Sequence, residues 1–387
     1  MPEILAGLFR QSRTNSRVMP RILILTASMG EGHNTAARNI RDALLEESGA
    51  TAEVLVADPY TRTNPVINKL MQRGYTTAIN RYPRAWKVVF ELLSKRGVVE
   101  GMGPMLAELT AAVKALMDEF RPDIIASTYP VFSFLIAKIR RRHSSVTVPF
   151  YTVITDSTMI NSAWYRCPCD GSIVADEQTA RVLRSDGVPS QKIHVLGFPV
   201  GLAFESLQPA APPSKEEWKA IFFPSGVSEF AAKVLTHLAE IPRLHVTVVT
   251  GRRQQVLQKL QDARLPRHGS LLGWTDQMPA MMTSHHIFIG KAGGATVQEA
   301  IAAQIPFLVS HVVPGQEEGN IALIEQTGIG ALAVGNPQRI RDMILGAMAN
   351  DAILWKAWRA NLAALKKPPA SRAIARFLLG RAGAHPA

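Results

Sequence analysis

Residues 290–320, GKAGGATVQEAIAAQIPFLVSHVVPGQEEGN, leave this chain few folds to choose from. Ile287, Phe288 and Ile289 read as a short buried strand, residues 290–294 as a glycine turn, 295–303 as a helix and 307–309 as a second buried strand. That is a βαβ unit with its loops at one end. A glycine pair directly before a helix lets the backbone approach a ligand closely. The first turn of that helix offers unpaired N–H groups and the positive end of its dipole, which together suit a diphosphate. Glu299, one turn inside the helix, is placed to accept hydrogen bonds from a ribose. Gln316, Glu317 and Asn320 carry amide and carboxylate groups suited to sugar hydroxyls. The same residue types also fit an ordinary α/β turn beside a solvated acidic loop.

The alternation of strand and helix continues elsewhere. Residues 22–25 form an apolar strand, TASMGEGH turns into a helix over 34–47, and 53–58 form the next strand. A helix over 106–119, the strand PDIIAST, a helix over 132–142 and the strand VPFYTVITD follow. Such an order predicts an α/β fold with a parallel sheet and helices on both faces. Gly30, Glu31, Gly32 and His33 are no dinucleotide fingerprint, because a third glycine is missing and an imidazole occupies the helix entrance, which argues against a dehydrogenase. On a loop, with an ordinary pKa near ~6.5, His33 can accept a proton; it can also simply cap the helix. Asp156 ends a strand, where open α/β sheets place their ligands.

A chain of 387 residues suggests two domains. Its 47% hydrophobic and 19% charged residues describe a globular protein. No apolar run approaches the roughly 20 residues of a membrane span. A net charge of +12 and a pI near 9.9 point to nucleic acid, anionic lipid or anionic substrates without separating them. Cys167 and Cys169 are too close for an ordinary disulfide and too few for a metal site, as in a cytoplasmic chain with free thiols. Residues 1–19 read as a basic extension without a signal-peptide core, and Met19 is a second plausible start. Cations crowd the stretch from Arg62 and Lys69 to Lys95 and Arg96, where Glu91 is the lone acid. Among them Trp86, Val89, Phe90 and Leu93 recur at helical spacing, with Tyr82 just before. Such a helix suits an anionic bilayer surface, or packs its stripe into the core; no nucleic-acid motif accompanies it.

The motif KAGG, Thr296 and Glu299-Ala300, followed after one strand by PGQEEGN, resembles the donor half of glycosyltransferase family 28. Within that family it is similar to the branch of monogalactosyldiacylglycerol synthases and processive diacylglycerol glucosyltransferases. The resemblance implies the GT-B fold, two Rossmann-like domains facing across a cleft. These are an acceptor and membrane-associating domain over 20–203, a linker over 204–217, a UDP-sugar domain over 218–365, and a tail over 366–387 whose helix at 371–379 could cross back. It places Gly293, Gly294 and Thr296 at the diphosphate, Glu299 at the ribose, and Gln316 and Glu317 at the sugar, with Lys291, Ala295 and Asn320 also in the donor-binding motif. Arg252 would face the diphosphate, and Gly273 and Trp274 the uracil. Ser225 and Gly226 are a reduced form of the family's longer glycine loop.

In the first half, the glycine turn with Gly32 and the histidine lies on the acceptor side. A region like YP-x-x-W puts Tyr82, Trp86 and Phe90 at lipid, and a TD and W pair puts Asp156 and Trp164 at the acceptor. Two departures bear on the base. Thr26, Ala27 and Ser28 stand where an acid is usual, and Asn161 where a histidine is usual, which leaves His33 or Asp156. The implied reaction is inverting transfer of a hexose from UDP-glucose or UDP-galactose to diacylglycerol. With no D-x-D motif, neither metal nor other cofactor is expected. The enzyme would sit as a monotopic protein on the cytoplasmic face of the membrane, binding no nucleic acid. A UDP-N-acetylglucosamine 2-epimerase and a non-catalytic UDP-sugar-responsive membrane protein stay open. Residue types do not separate glucose from galactose or fix the oligomeric state.

Overall fold

The computed structural model describes residues 19–28, 31–63, 106–156, 160–214, 217–225, 228–261, 269–315, 317–365, 368 and 370–383, with 74, 77–78, 82, 88–89 and 91–92 between them. Trp86, Phe90, Gly226, Gln316 and the extension over 1–18 lie outside the described residues.

Two six-stranded sheets organise the chain. In the first, β1 (Arg21–Leu25), β2 (Glu53–Ala57), β3 (Ile124–Ser127), β4 (Phe150–Val153), β5 (Gly171–Val174) and β6 (Ile193–Val195) run in the order β2-β1-β3-β4-β5-β6. In the second, β7 (Trp218–Phe222), β8 (Leu244–Val249), β9 (Ser270–Leu272), β10 (Ile287–Lys291), β11 (Phe307–His311) and β12 (Gly330–Leu332) run in the order β12-β11-β10-β7-β8-β9. Every pairing is parallel. Parallel strands covered on both faces need continuous apolar runs, which RILIL in β1 and IFIGK in β10 supply. The strand order reverses between β1 and β3 in one sheet and between β10 and β7 in the other. At such reversals the loops leave in opposite directions and open a crevice beyond the strand ends. Both glycine turns singled out in the sequence stand there, one after β1 and one after β10.

The first turn leads into α1 (Glu31–Glu47), which begins three residues ahead of the expected Asn34. Gly32 and His33 therefore lie in the first helical turn and not on a loop. Asn34 helps: its side chain accepts from Thr26 Oγ1 at 3.0 Å and donates to Ser28 Oγ at 3.2 Å, holding the turn before the helix. Glu31 adds a favourable charge at the N-terminus. Helices α2 (Ala107–Phe120), α3 (Val131–Arg142) and α4 (Glu177–Ser185) follow in the described residues of the first half. The second half carries α5 (Ser228–Leu238), α6 (Gln254–Gln261), α7 (Met278–Ser284), α8 (Gly294–Ala303), α9 (Glu318–Thr327), α10 (Pro337–Met348) and α11 (Ile353–Leu365).

Each sheet has apolar clusters on both faces, and the chain passes between them twice. Phe198, Val200 and Phe204, just after β6, are buried with Val297, Phe307 and Ile324 of the second half. In return, the terminal helix α12 (Ala370–Ala382) buries Ile374, Ala375 and Leu378 among Ile22, Ile40 and Leu44 of the first. Where the crossings meet, Gly197 has φ +103°, and a Cβ there would lie 2.6 Å from that of Ala370. Only glycine serves both the angle and the approach. Arg372 pairs with Glu205, Glu46 and Glu47 at 2.6, 2.7 and 3.0 Å, and Arg376 reaches Glu47 at 2.7 Å.

Candidate functional site

The second glycine turn is shaped by sterics on one side and left open for hydrogen bonding on the other. Gly293 is the N-cap of α8, in extended conformation, and no side chain caps it among the described residues. The N–H groups of Gly294, Ala295 and Thr296 stand at the positive end of the helix dipole, an anion site in waiting. Gly294 is required by what lies across the cleft: a Cβ there would come within 2.9 Å of the carbonyl oxygen of Thr155, just after β4. Likewise a Cβ on Gly32 would sit 3.8 Å from that of Ala295. The N-termini of α1 and α8 thus meet, and the two crevices form one site.

Around the turn, residues read as sugar ligands are also its scaffold. Glu317 is only 4% exposed. Its Oε1 is 2.5 Å from Lys291 Nζ and its Oε2 accepts from the Val313 N–H at 2.8 Å. Asn320 donates from Nδ2 to the Ala292 carbonyl at 2.9 Å, fastening the start of α9 to the glycine turn. Glu299, half-buried near Arg38 of α1, has its carboxyl pushed up to about 7 by burial, with the arginine working against that. Arg252 lies with its guanidinium 4.8 Å from the centre of the Trp274 ring and its Nε 3.9 Å from Glu31. It therefore spans from the expected base pocket to the other half. Gly273 lies against Leu257, and Ser225 is half-buried beyond β7. Arg253 donates to the Pro224 carbonyl, which ties its loop to the β7 turn. His286 is structural: Nδ1 accepts from the Lys219 N–H at 2.9 Å, and its carbonyl accepts from Trp355 Nε1 at 2.8 Å.

On the facing side, His33 makes a 2.8 Å hydrogen bond between Nδ1 and Thr155 Oγ1, and its carbonyl accepts from Thr128 Oγ1 at 3.1 Å. Tyr129 meets the imidazole edge-on, 5.2 Å between centroids. Burial pushes the His33 pKa down to about 4; the Thr128 bond opposes this and Lys291, from the other half, adds to it. The ring is neutral at pH 7. Asp156 goes the other way: burial pushes it up to about 6, against the hydrogen bond from Trp164 Nε1 to Oδ2 at 2.7 Å. It is mostly ionised at pH 7, with a proton affinity close to the operating range of a general base.

Trp164, expected at the acceptor with Asp156, stands beside it, its ring 6.2 Å from that of His33, but turned inward, where it can touch no membrane. The indole is fully buried with Ile154, Val174 and Leu183, and its only polar atom is spent on Asp156. Asn161, in place of a histidine, accepts from the Ala163 N–H at 3.0 Å and shapes the turn that carries Trp164. Tyr82, Val88, Val89 and Leu92 of the basic segment are exposed, away from any apolar cluster of the described residues. Thr155 and Tyr129 escaped the sequence reading. Thr155 had a signal, as the residue before a strand-end aspartate; Tyr129 had none.

Among the described residues no group of three or more His, Cys, Asp or Glu could hold a metal ion, and no helix is long and apolar enough to cross a membrane. Residues 33–200 match the family model of monogalactosyldiacylglycerol (MGDG) synthase, and residues 225–320 that of the glycosyltransferase family 28 C-terminal domain. A processive diacylglycerol beta-glucosyltransferase of Bacillus mycoides is 26% identical over 326 residues, 80% of this chain and 81% of that protein. A probable chloroplastic monogalactosyldiacylglycerol synthase 2 of Oryza sativa subsp. indica is 29% identical over 337 residues, 81% of this chain and 70% of that one. Among solved structures, MurG of Acinetobacter baumannii superposes with a TM-score of 0.59 at 13% identity, over 94% of this chain and 100% of its own. The UDP-GlcNAc 2-epimerase of Neisseria meningitidis, bound to UDP-GlcNAc, gives 0.57 at 13%, over 93% and 98%. At these identities the structures speak for the fold alone.

Proposed function

We propose that the chain is a member of glycosyltransferase family 28, in the branch of monogalactosyldiacylglycerol synthases and processive diacylglycerol glucosyltransferases, and that it transfers a hexose from a UDP-sugar to diacylglycerol. The fold is GT-B, two doubly wound halves with one site between them. The observation that carries the reading is the contact of Gly294 with Thr155: the N-terminus that suits a diphosphate touches the loop that holds Asp156 and orients His33. A leaving group and a proton acceptor are thereby brought to the same few ångströms.

In this mechanism UDP is held at the Gly294 to Thr296 N–H groups, with Lys291 and Arg252 supplying positive charge. Glu299 takes the ribose, and Gly273 and Trp274 flank the base. The acceptor hydroxyl attacks the anomeric carbon from the opposite face as the bond to UDP breaks, which inverts the centre. Asp156 takes the hydroxyl proton, since its affinity is the better matched to neutral pH; the neutral imidazole of His33 orients the hydroxyl. Fixed N–H dipoles and cations stabilise the departing diphosphate, so this chain's residues serve both ends of the displacement without a metal. Tyr82, Val88, Val89 and Leu92, amid the cations of that segment, rest on an anionic bilayer and give access to the lipid. That makes the protein a peripheral enzyme of the cytoplasmic membrane face.

The test is UDP release by purified protein with anionic liposomes containing diacylglycerol, comparing UDP-glucose, UDP-galactose and UDP-N-acetylglucosamine. Release that depends on the lipid, with a glycolipid product and loss in Asp156→Asn, is the expected result and names the sugar. UDP binding without release from any donor would remove diacylglycerol as the acceptor.

A further inference from the structure

The last residue of β11, His311, is used by nothing described so far. It is the register partner of Lys291 across the β10–β11 pair, at a point where the register shifts, and its carbonyl accepts from the Ala292 N–H at 3.3 Å. It therefore stands at the carboxyl edge of the sheet, beside the glycine turn. Side chains alternate along a strand, so the imidazole shares a face with Val309, which is buried with Val297 and Ile324. At the strand end above that cluster it lies within electrostatic reach of Glu317, Lys291 and Arg253. Its Nε2 is shut off from solvent and has no hydrogen-bond partner among the described residues. A buried ring nitrogen left unpaired is unfavourable, and one at the carboxyl edge of the sheet beside the glycine turn calls for a ligand group.

We propose that His311 reads the donor sugar, its Nε2 making a hydrogen bond to a hydroxyl of the hexose beside Lys291 and Glu317. The inference rests on the UDP-sugar reading of this site and deepens it. A hydroxyl is the fitting partner because it both donates and accepts, and so satisfies either tautomer of a neutral imidazole. Burial and the two cations hold the ring neutral, while Glu317 works the other way. A phosphoryl oxygen would ask for a charged imidazole, and the cations that serve it are already present in Lys291 and Arg252. The main-chain donors of α8 take the diphosphate, which leaves His311 for the part of the donor that UDP lacks.

Titration calorimetry with UDP, UDP-glucose and UDP-galactose tests this on the wild type, His311→Phe and His311→Gln. His311→Phe is expected to weaken the preferred UDP-hexose about tenfold while UDP changes less than about twofold, and His311→Gln, which keeps a polar group at that reach, to recover most of the loss. Equal losses for UDP and UDP-hexose would place the contact on the nucleotide and overturn the proposal, as would no loss for either. If the wild type binds no UDP, the donor reading itself fails and the proposal with it. A measurement on the wild-type protein covers variants that fail to fold. The imidazole resonances of His311 in histidine-labelled protein shift with UDP-hexose and not with UDP; an unchanged resonance, or the same shift with both, overturns the proposal.

Discussion

Asp156 and Trp164 are eight positions apart in sequence and joined by one hydrogen bond, which works against the burial that pushes the carboxyl up to about 6. With ionised Asp156 as the proposed base, kcat/KM is expected to rise with pH through about 6 and to be flat above it. Asp156→Asn is expected to lower the rate by ~10² to 10⁴. Trp164→Phe keeps the buried ring but removes a donor that favours the carboxylate, so the acid limb moves to higher pH. A limb nearer 4 that survives in Asp156→Asn and disappears in His33→Ala would move the proton to His33. Glu299 makes a stability prediction with its own sign. Its folded pKa of about 7 is raised, so its contribution is full below the ordinary carboxylate range and is lost as pH rises through 7. Thermal melts of Glu299→Gln should therefore gain on the wild type between pH 5 and 8, by no more than about 3 kcal/mol. At this scale the sequence pointed to His33 and Asp156 as candidates, and the structure brings both to Thr155, one by a hydrogen bond and one as its neighbour in the chain. The sequence could not show that Trp164 turns inward, because an indole beside a carboxylate reads equally well as a lipid contact.

Among the elements, strands and long helices were legible from their apolar periods: a helix over 106–119 stands at Ala107–Phe120, and one over 132–142 at Val131–Arg142. The start of α1 was not. Gly30-Glu31-Gly32 reads as a loop by local propensity, yet Gly32 is helical and faces Ala295, whose Cβ would be in ordinary contact at 3.8 Å with a side chain placed there. The meeting of α1 and α8 also explains why the glycine turn of the second half answers to the first. Gly294→Ala should push the Thr155 backbone away, costing about 1 to 3 kcal/mol of stability, and should lower activity more than UDP affinity. An unchanged kcat in that variant would mean the contact is not maintained during turnover.

The whole molecule combines two parallel sheets, a clasp of ion pairs and exposed apolar residues in a basic segment. Val88→Asp with Leu92→Asp should reduce binding to anionic vesicles about tenfold or more and leave calorimetric UDP affinity unchanged. Arg372→Ala should lower the melting temperature by a few degrees at low salt and by less at high salt, since its partners lie at the surface. Two doubly wound halves could be foreseen from strands alternating with helices and from the resemblance to GT-B enzymes. Which strands flank each reversal could not, because strand order depends on contacts far apart in sequence.

The terminal helix has a further consequence, for synthesis on the ribosome. Residues 21–195 supply every strand of the first sheet, but α12, which closes one face of that sheet, is made after the whole of the second half. The N-terminal half therefore emerges with Ile22, Ile40 and Leu44 uncovered, and must wait in that state through the translation of well over a hundred residues. At ~5 to 20 residues per second the wait lasts on the order of ten seconds or more, long enough for a chaperone to be the face's first partner.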